Sequence, residues 1–134
     1  MEDCIFCKII KGEIPCYKIY ENEYVLAFLD IAKDIDGHIL VIPKNHCESV
    51  LDCSENDLKE VMVAIQKISN HLIDNCGYDG VNLLNCCKEC AGQSVFHFHM
   101  HIIPRKQNDG EKVFPTLSGA KVDLAELREK LKMI

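Results

Sequence analysis

The stretch from Val95 to Pro104, V-F-H-F-H-M-H-I-I-P, alternates at a period of two, with Val95, His97, His99, His101 and Ile103 on one side and Phe96, Phe98, Met100 and Ile102 on the other. That period predicts a strand, because successive side chains point to opposite faces of a sheet. Its apolar side reads as a core face. Its other side would carry three imidazoles in a row, about 6–7 Å apart at the usual strand rise of about 3.4 Å per residue. Lys18 to Glu21 and Tyr24 to Asp30 predict two further strands joined by a tight turn at Asn22. Ile31 to Gly37 is polar and loop-like, and His38 to Pro43 is a mostly apolar run, ended by proline, that suits a buried central strand. Gly80 to Asn85 predicts another short strand, followed by a loop from Cys86 to Ser94.

Helical spacing appears in three places. Leu58, Val61, Met62, Ile65, Ile68, Leu72 and Ile73 recur on one face behind a capping signal at Ser54 and Asp57, which predicts a long amphipathic helix ending near Asn75 and Gly77. Ile5, Phe6, Ile9 and Ile10 share a face of a short helix closed by Gly12 and Pro15. Asp123 with Glu126 caps a last helix whose apolar positions are Leu124, Leu127, Leu131 and Ile134. Strands on both sides of one long helix point to an α+β fold with a mostly antiparallel sheet, one long helix and a C-terminal helix. At 134 residues, with no linker or repeat, positions 1–134 read as a single domain.

Composition narrows the function. A net charge of −6, from 15 Lys and Arg against 21 Asp and Glu, argues against a nucleic-acid binder with a basic surface, and leaves room for a local pocket for one phosphate group. The chain has no apolar run long enough to span a membrane, and its start, M-E-D-C-I-F-C-K, lacks the features of a secretory leader, so a cytoplasmic, non-membrane protein is expected. Nine cysteines are an odd number, and in a reducing compartment free thiols or metal ligation are expected in place of disulfides.

Cys4 and Cys7 form C-x-x-C, a spacing that lets two thiolates reach one ion and is by itself half a site. The redox reading of that motif needs a preceding strand, which is missing here. Cys87 and Cys90 form a second such pair, so a four-cysteine site is one arrangement to weigh. Gly92, Gln93 and Ser94 stand just before the imidazoles and could offer N–H groups and a hydroxyl to an anion. Imidazole can be nucleophile, proton carrier or metal ligand near neutral pH, so the aligned histidines mark a candidate reaction centre.

H-F-H-M-H-I-I preceded by A-G-Q-S closely resembles the signature of the histidine triad superfamily of nucleotide hydrolases and transferases. C-I-F-C-K-I-I-K-G-E-I-P, A-F-L-D-I and G-H-I-L-V-I-P-K-N-H resemble further segments of that family in the right order, so the resemblance spans nearly the whole chain. It is strongest to the small nucleoside phosphoramidate hydrolases, which implies a homodimer acting on a nucleotide such as AMP or a conjugate of it. The resemblance implies that His99 is the nucleophile that forms a covalent nucleotidyl-histidine. It assigns His101 to phosphate contact, His38 to the proton network, Ser94 to the leaving group, and backbone donors from Gln93 to Val95 to the phosphate oxygens. Ile5, Phe6, Ile9, Phe28 and Ile31 would hold the base, and Asp30 the ribose hydroxyls.

In members with the N-terminal C-x-x-C, the resemblance implies a structural zinc on Cys4, Cys7, His46 and His97. The chain departs from the family where asparagine commonly stands at the position of Cys86, seven residues before Gln93, and glycine often at Lys88. Asn85 is the candidate substitute for that asparagine. A dinucleoside polyphosphate hydrolase, with Arg105 and Lys106 assisting a longer phosphate chain, is the alternative within the same chemistry. A nucleotide-binding or interaction protein with little turnover is the alternative outside it.

Overall fold

A computed structural model describes residues 3–134, so the first two residues of the leader reading and of the 1–134 span lie outside the described residues. The elements run α1 (Ile5–Ile10), β1 (Lys18–Glu21), β2 (Val25–Leu29), β3 (Ile39–Pro43), α2 (Glu55–Asn75), β4 (Gly80–Leu84), β5 (Met100–Arg105) and α3 (Leu124–Leu131). Five strands form one antiparallel sheet in the order β1-β2-β3-β5-β4, which gives the expected α+β class. No helix among the described residues is long and apolar enough to cross a membrane.

Period-two burial places β2 and β3 at the centre. Val25, Ala27, Ile39 and Val41 face α2, where they pack with Val61, Ala64, Ile65, Ile68 and Leu72. Leu26, Phe28, Leu40 and Ile42 face the other way, against Phe6 of α1. Both faces of these strands are therefore covered, which is why the sequence there is continuously apolar. The capping signals act as read: the Ser54 hydroxyl accepts from Asp57 N at 3.1 Å, and Asp123 accepts from Glu126 N at 3.3 Å. Asn22 closes the β1–β2 turn by accepting from Tyr24 N and Val25 N at 2.8 and 2.9 Å.

Gly37, at the mouth of β3, sits at φ +85°, and a Cβ there would lie 3.0 Å from both Pro104 Cγ and the Tyr78 hydroxyl. Both the backbone angle and the space therefore demand glycine before His38.

The fold departs from the sequence reading in several ways. The last strand begins at Met100, and residues 95–99 are irregular. There the backbone bonds elsewhere: Phe98 N donates to Cys47 O at 2.8 Å, outside any strand ladder. Phe96, assigned above to a core face, is 44 % exposed, while Phe98 and Ile102 are buried as expected.

Cys47 and Cys53 form a disulfide, against the expectation of free thiols or metal ligation in place of disulfides. Asp52 accepts from Glu48 N and Ser49 N at 3.1 and 2.9 Å, curling the intervening loop so that the two Cα atoms stand 5.2 Å apart, an ordinary span for the bond. Finally, α3 forms but buries none of its residues, so its apolar face is open.

Core and appendage should respond differently to truncation. Ile102→Ala, at a site with no exposure, is expected to cost about 2–5 kcal/mol. Leu124→Ala on α3 should stay within about 0.5 kcal/mol. Urea unfolding of the two variants checks this; equal losses would mean that α3 is integral to the core.

Candidate active site

A cavity of about 360 Å³ opens between α1 and the face of the sheet opposite α2. Ile5, Phe6, Ile9, Phe28, Asp30, Ile31, Ser94, Val95, His99 and His101 all line it, so most of the expected nucleotide-site residues converge. Leu40 and Cys16 line it as well, and the sequence reading missed both. The parity of β3 could have found Leu40, which pairs with His101 and lies beside Phe6 and Phe28. No Lys or Arg is among the lining residues.

The three histidines do not form one row. His97 is fully buried and turned toward α1 and His46, while His99 and His101 face the cavity with ring centroids 5.0 Å apart. Phe6 meets the His99 ring edge-on at 5.2 Å. His99 Nδ1 lies 2.7 Å from its neighbour's carbonyl, His97 O. A carbonyl can only accept, so Nδ1 carries the hydrogen, and in the neutral ring Nε2 is left with a bare lone pair.

His101 Nδ1 meets His38 Nε2 at 2.9 Å, and His38 Nδ1 reaches Asp34 Oδ1 at 2.8 Å. His38 is buried, as expected of a central-strand residue, and Asp34 was not anticipated. Burial first, with His99 and His38 alongside, holds His101 down to about 4, so it is neutral near pH 7.

A second cluster lies behind the first. Cys4 Sγ, Cys7 Sγ, His46 Nδ1 and His97 Nδ1 are all within 4.8 Å of one another. The closest separations are 3.1 Å between the two imidazole nitrogens and 3.3–3.5 Å between sulfur and nitrogen. A tetrahedral zinc with bonds of about 2.0–2.3 Å sets its ligands about 3.3–3.8 Å apart, so the donors present fit that ion.

The tautomer fits as well. His97 Nε2 donates to Pro43 O at 2.9 Å, which leaves Nδ1 bare and aimed at the two sulfurs. Burial, then Cys4, pushes the Cys7 thiol up, a cost that a cation would relieve. Cys87 and Cys90 join no such cluster among the described residues, so the four-cysteine arrangement is not formed.

Other expected site residues sit elsewhere. Asn85 lies outside the cavity lining, and its amide donates to His99 O at 2.9 Å, fastening the backbone of the histidine segment. Gln93 is buried: its N–H goes to Lys88 O, while its amide accepts from Lys88 N and donates to Glu48 O and Val95 O. It holds the loop and has no N–H to offer an anion; Ser94 and Val95 are the members of that trio at the cavity. Arg105 is engaged by Asp109, Asn82 and Glu111 O, and Lys106 lies over the Tyr78 ring, both away from the lining. Lys88 holds φ +76° and ψ 154°, a region that glycine enters freely.

Comparison with known proteins agrees with this geometry. The HIT domain family model matches residues 11–108. The protein Hit of Bacillus subtilis is 54 % identical over 104 residues, covering 78 % of this chain and 72 % of that one. An adenosine 5′-monophosphoramidase of Schizosaccharomyces pombe is 40 % identical over 106 residues, covering 79 % and 77 %. The crystal structure of a zinc-bound histidine triad family protein from Mycobacterium smegmatis superposes with a TM-score of 0.78 at 34 % identity, covering 84 % and 81 %. The chain belongs to the HIT domain family.

Two outcomes follow from the geometry. His101 binds its proton less readily folded, at about 4, than its ordinary 6.5, so between these values the unfolded chain holds more protons and stability should fall as pH is lowered through that window. In urea unfolding at pH 7 and pH 5, His101→Asn should show a smaller drop than the natural chain; an identical drop would refute this. Lys88→Gly should relieve backbone strain and raise stability by about 1 kcal/mol, read as a higher urea midpoint.

Proposed function

We propose that the chain hydrolyses nucleoside 5′-phosphoramidates, or related nucleotide conjugates, to the nucleoside monophosphate. The observation that carries this reading is the 2.7 Å contact of His99 Nδ1 with His97 O, which leaves Nε2 as a lone pair at the cavity. In the first step His99 Nε2 bonds to the α-phosphorus while the phosphorus–nitrogen bond breaks, and the leaving amine takes a proton from water through the Ser94 hydroxyl. Water then attacks the nucleotidyl-histidine, the histidine–phosphorus bond breaks, and the monophosphate departs.

His101 and the N–H groups of Ser94 and Val95 would meet the phosphate oxygens, with His38 behind His101 in the proton network. The Ser94 hydroxyl would meet the leaving group. Asp30 would receive the ribose hydroxyls, and Ile5, Phe6, Ile9, Phe28 and Ile31 the base, a purine such as that of AMP. The named activity of the fission-yeast relative supports this class of substrate. The longer phosphate chain of a dinucleoside polyphosphate is less well served, because the lining has no Lys or Arg to meet it.

We also read Cys4, Cys7, His46 and His97 as a structural zinc site. With all four positions filled by protein, the ion would bind α1 to the segment before β5 and leave the phosphate chemistry to imidazole. The chain would act as a homodimer, for which the free edge of β4 offers an unpaired row of backbone groups.

Incubation with adenosine 5′-phosphoramidate should release AMP, and acid-labile radiolabel should be trapped on the protein when the phosphorus is labelled. His99→Ala should lower kcat by about 1000-fold or more while nucleotide binding persists. Tight binding without turnover, unchanged in His99→Ala, would instead mean a binding module. Metal analysis should find one zinc per chain, and Cys4→Ser should lower Tm more than kcat. The reverse would make the metal part of the chemistry.

A further inference from the structure

We propose that Asp34 is a positioning residue of the reaction centre: its carboxylate sets the tautomer of His38 and, through His38, the direction in which protons pass to and from His101. This rests on the hydrolase reading given above and adds to it a residue that never touches substrate. The cavity lining does not include Asp34, which meets His38 Nδ1 from the loop between β2 and β3.

Two carboxylates stand near His38 Nδ1. Asp34 Oδ1 is at 2.8 Å, and Asp30 Oδ2 is at 3.6 Å, too far for a hydrogen bond. Asp30 lines the cavity and is available to the sugar; Asp34 does not line it, and its carboxylate is engaged by the histidine and the loop backbone. The loop is shaped for this division. Lys33 adopts φ +57°, a left-handed turn that swings residue 34 back, and Asp34 Oδ1 also accepts from Ile35 N at 2.9 Å. Asp30 Oδ1 is held by Ala32 N at 2.9 Å.

The logic is one of donors and acceptors. His38 Nε2 and His101 Nδ1 face each other at 2.9 Å, so one must donate and the other accept. Geometry alone leaves that choice open. An ionised carboxylate only accepts, so Asp34 fixes the hydrogen of neutral His38 on Nδ1. His38 Nε2 must then accept from His101 Nδ1–H, and His101 Nε2 presents a lone pair to the cavity, becoming a donor to a phosphate oxygen only once it has taken up a proton. When a proton from the attacking water arrives at His101 Nε2, the Nδ1 proton can pass to His38 Nε2, and the resulting imidazolium is paired with Asp34.

The hydrogen bond to His38 also holds the Asp34 carboxyl below its ordinary range, so it is ionised throughout the neutral region. The Asp34 side chain is 55 % exposed and that of His38 only 7 %. A contact with one partner this open to water contributes little to stability. Its effect should therefore appear in turnover.

The test uses the full chain with Asp34→Ala, Asp34→Asn and Asp34→Glu, and Asp36→Asn as a control for net charge. With adenosine 5′-phosphoramidate, Asp34→Ala should lower kcat by at least about tenfold, the low end of proton-transfer contributions. KM and Tm should stay close to those of the natural chain. Asp34→Asn should fall in between, Asp34→Glu should recover most of the rate, and Asp36→Asn should match the natural chain.

In parallel, ¹⁵N NMR of the histidine rings should show His38 as the Nδ1–H tautomer, shifting to a mixture in Asp34→Ala. An unchanged kcat, or an unchanged tautomer, in Asp34→Ala overturns the proposal. If the natural chain does not turn over the phosphoramidate, the hydrolase reading fails, and the NMR result still decides whether Asp34 sets His38.

Discussion

A main-chain carbonyl decides which face of the His99 ring is chemically available. His97 O accepts from His99 Nδ1, and the lone pair on Nε2 is left toward the cavity. Because the acceptor is backbone, no side-chain substitution within the cavity can swap the tautomer. The carbonyl is itself held, since the His97 ring is pinned by Pro43 O on one nitrogen and faces the cysteines with the other. Asn85 secures the next carbonyl, His99 O. The reactive geometry is thus assembled from backbone groups fixed by buried polar contacts, which resist rotation better than exposed side chains would.

The sheet supplies the platform. β2 and β3 are buried on both faces, so the residues facing α2 anchor the strands while their alternate neighbours line the slot under α1. His101 rides on β5 directly opposite Leu40 of β3 and is fixed by ladder pairing. His99 lies one step before the strand begins and is positioned by side-chain and carbonyl contacts instead. A ladder-fixed imidazole and one held only by local contacts at the strand end are thus combined within three residues.

Much of this was legible in the chain. Capping chemistry located α2 and α3 because Ser54 and Asp123 act locally, within one turn of the donors they satisfy. Apolar runs bounded by turn residues located β2 and β3 for the same reason, while the slot residues came from the family resemblance. Residues 95–99 were misread as strand because a period of two reports which side chains alternate, and says nothing about where the backbone hydrogen bonds go.

The division of the histidines between two clusters, the Cys47–Cys53 bond and the contact of Asp34 with His38 all depend on how loops fold back, which no periodicity records. The open face of α3 was equally invisible: Leu124 and Leu131 have the spacing of a buried helix, yet they bury nothing within this chain. Arg105 looked available because neither the curl of its own loop, which brings Asp109 back to it, nor the arrival of Asn82 from β4 is written in a periodicity.

The slot has no lysine or arginine among its lining residues, and the chain carries a net charge of −6. An incoming anion therefore meets no basic side chain there to draw it in from a distance. Any anion the slot takes would be met at short range, by imidazole, amide hydrogens and a close apolar fit, all of which act within a few ångströms where mobile counter-ions do not intervene. The net charge opposes the approach of an anion, and mobile ions that screen it should make encounter faster at the ionic strength of a cell than in dilute buffer.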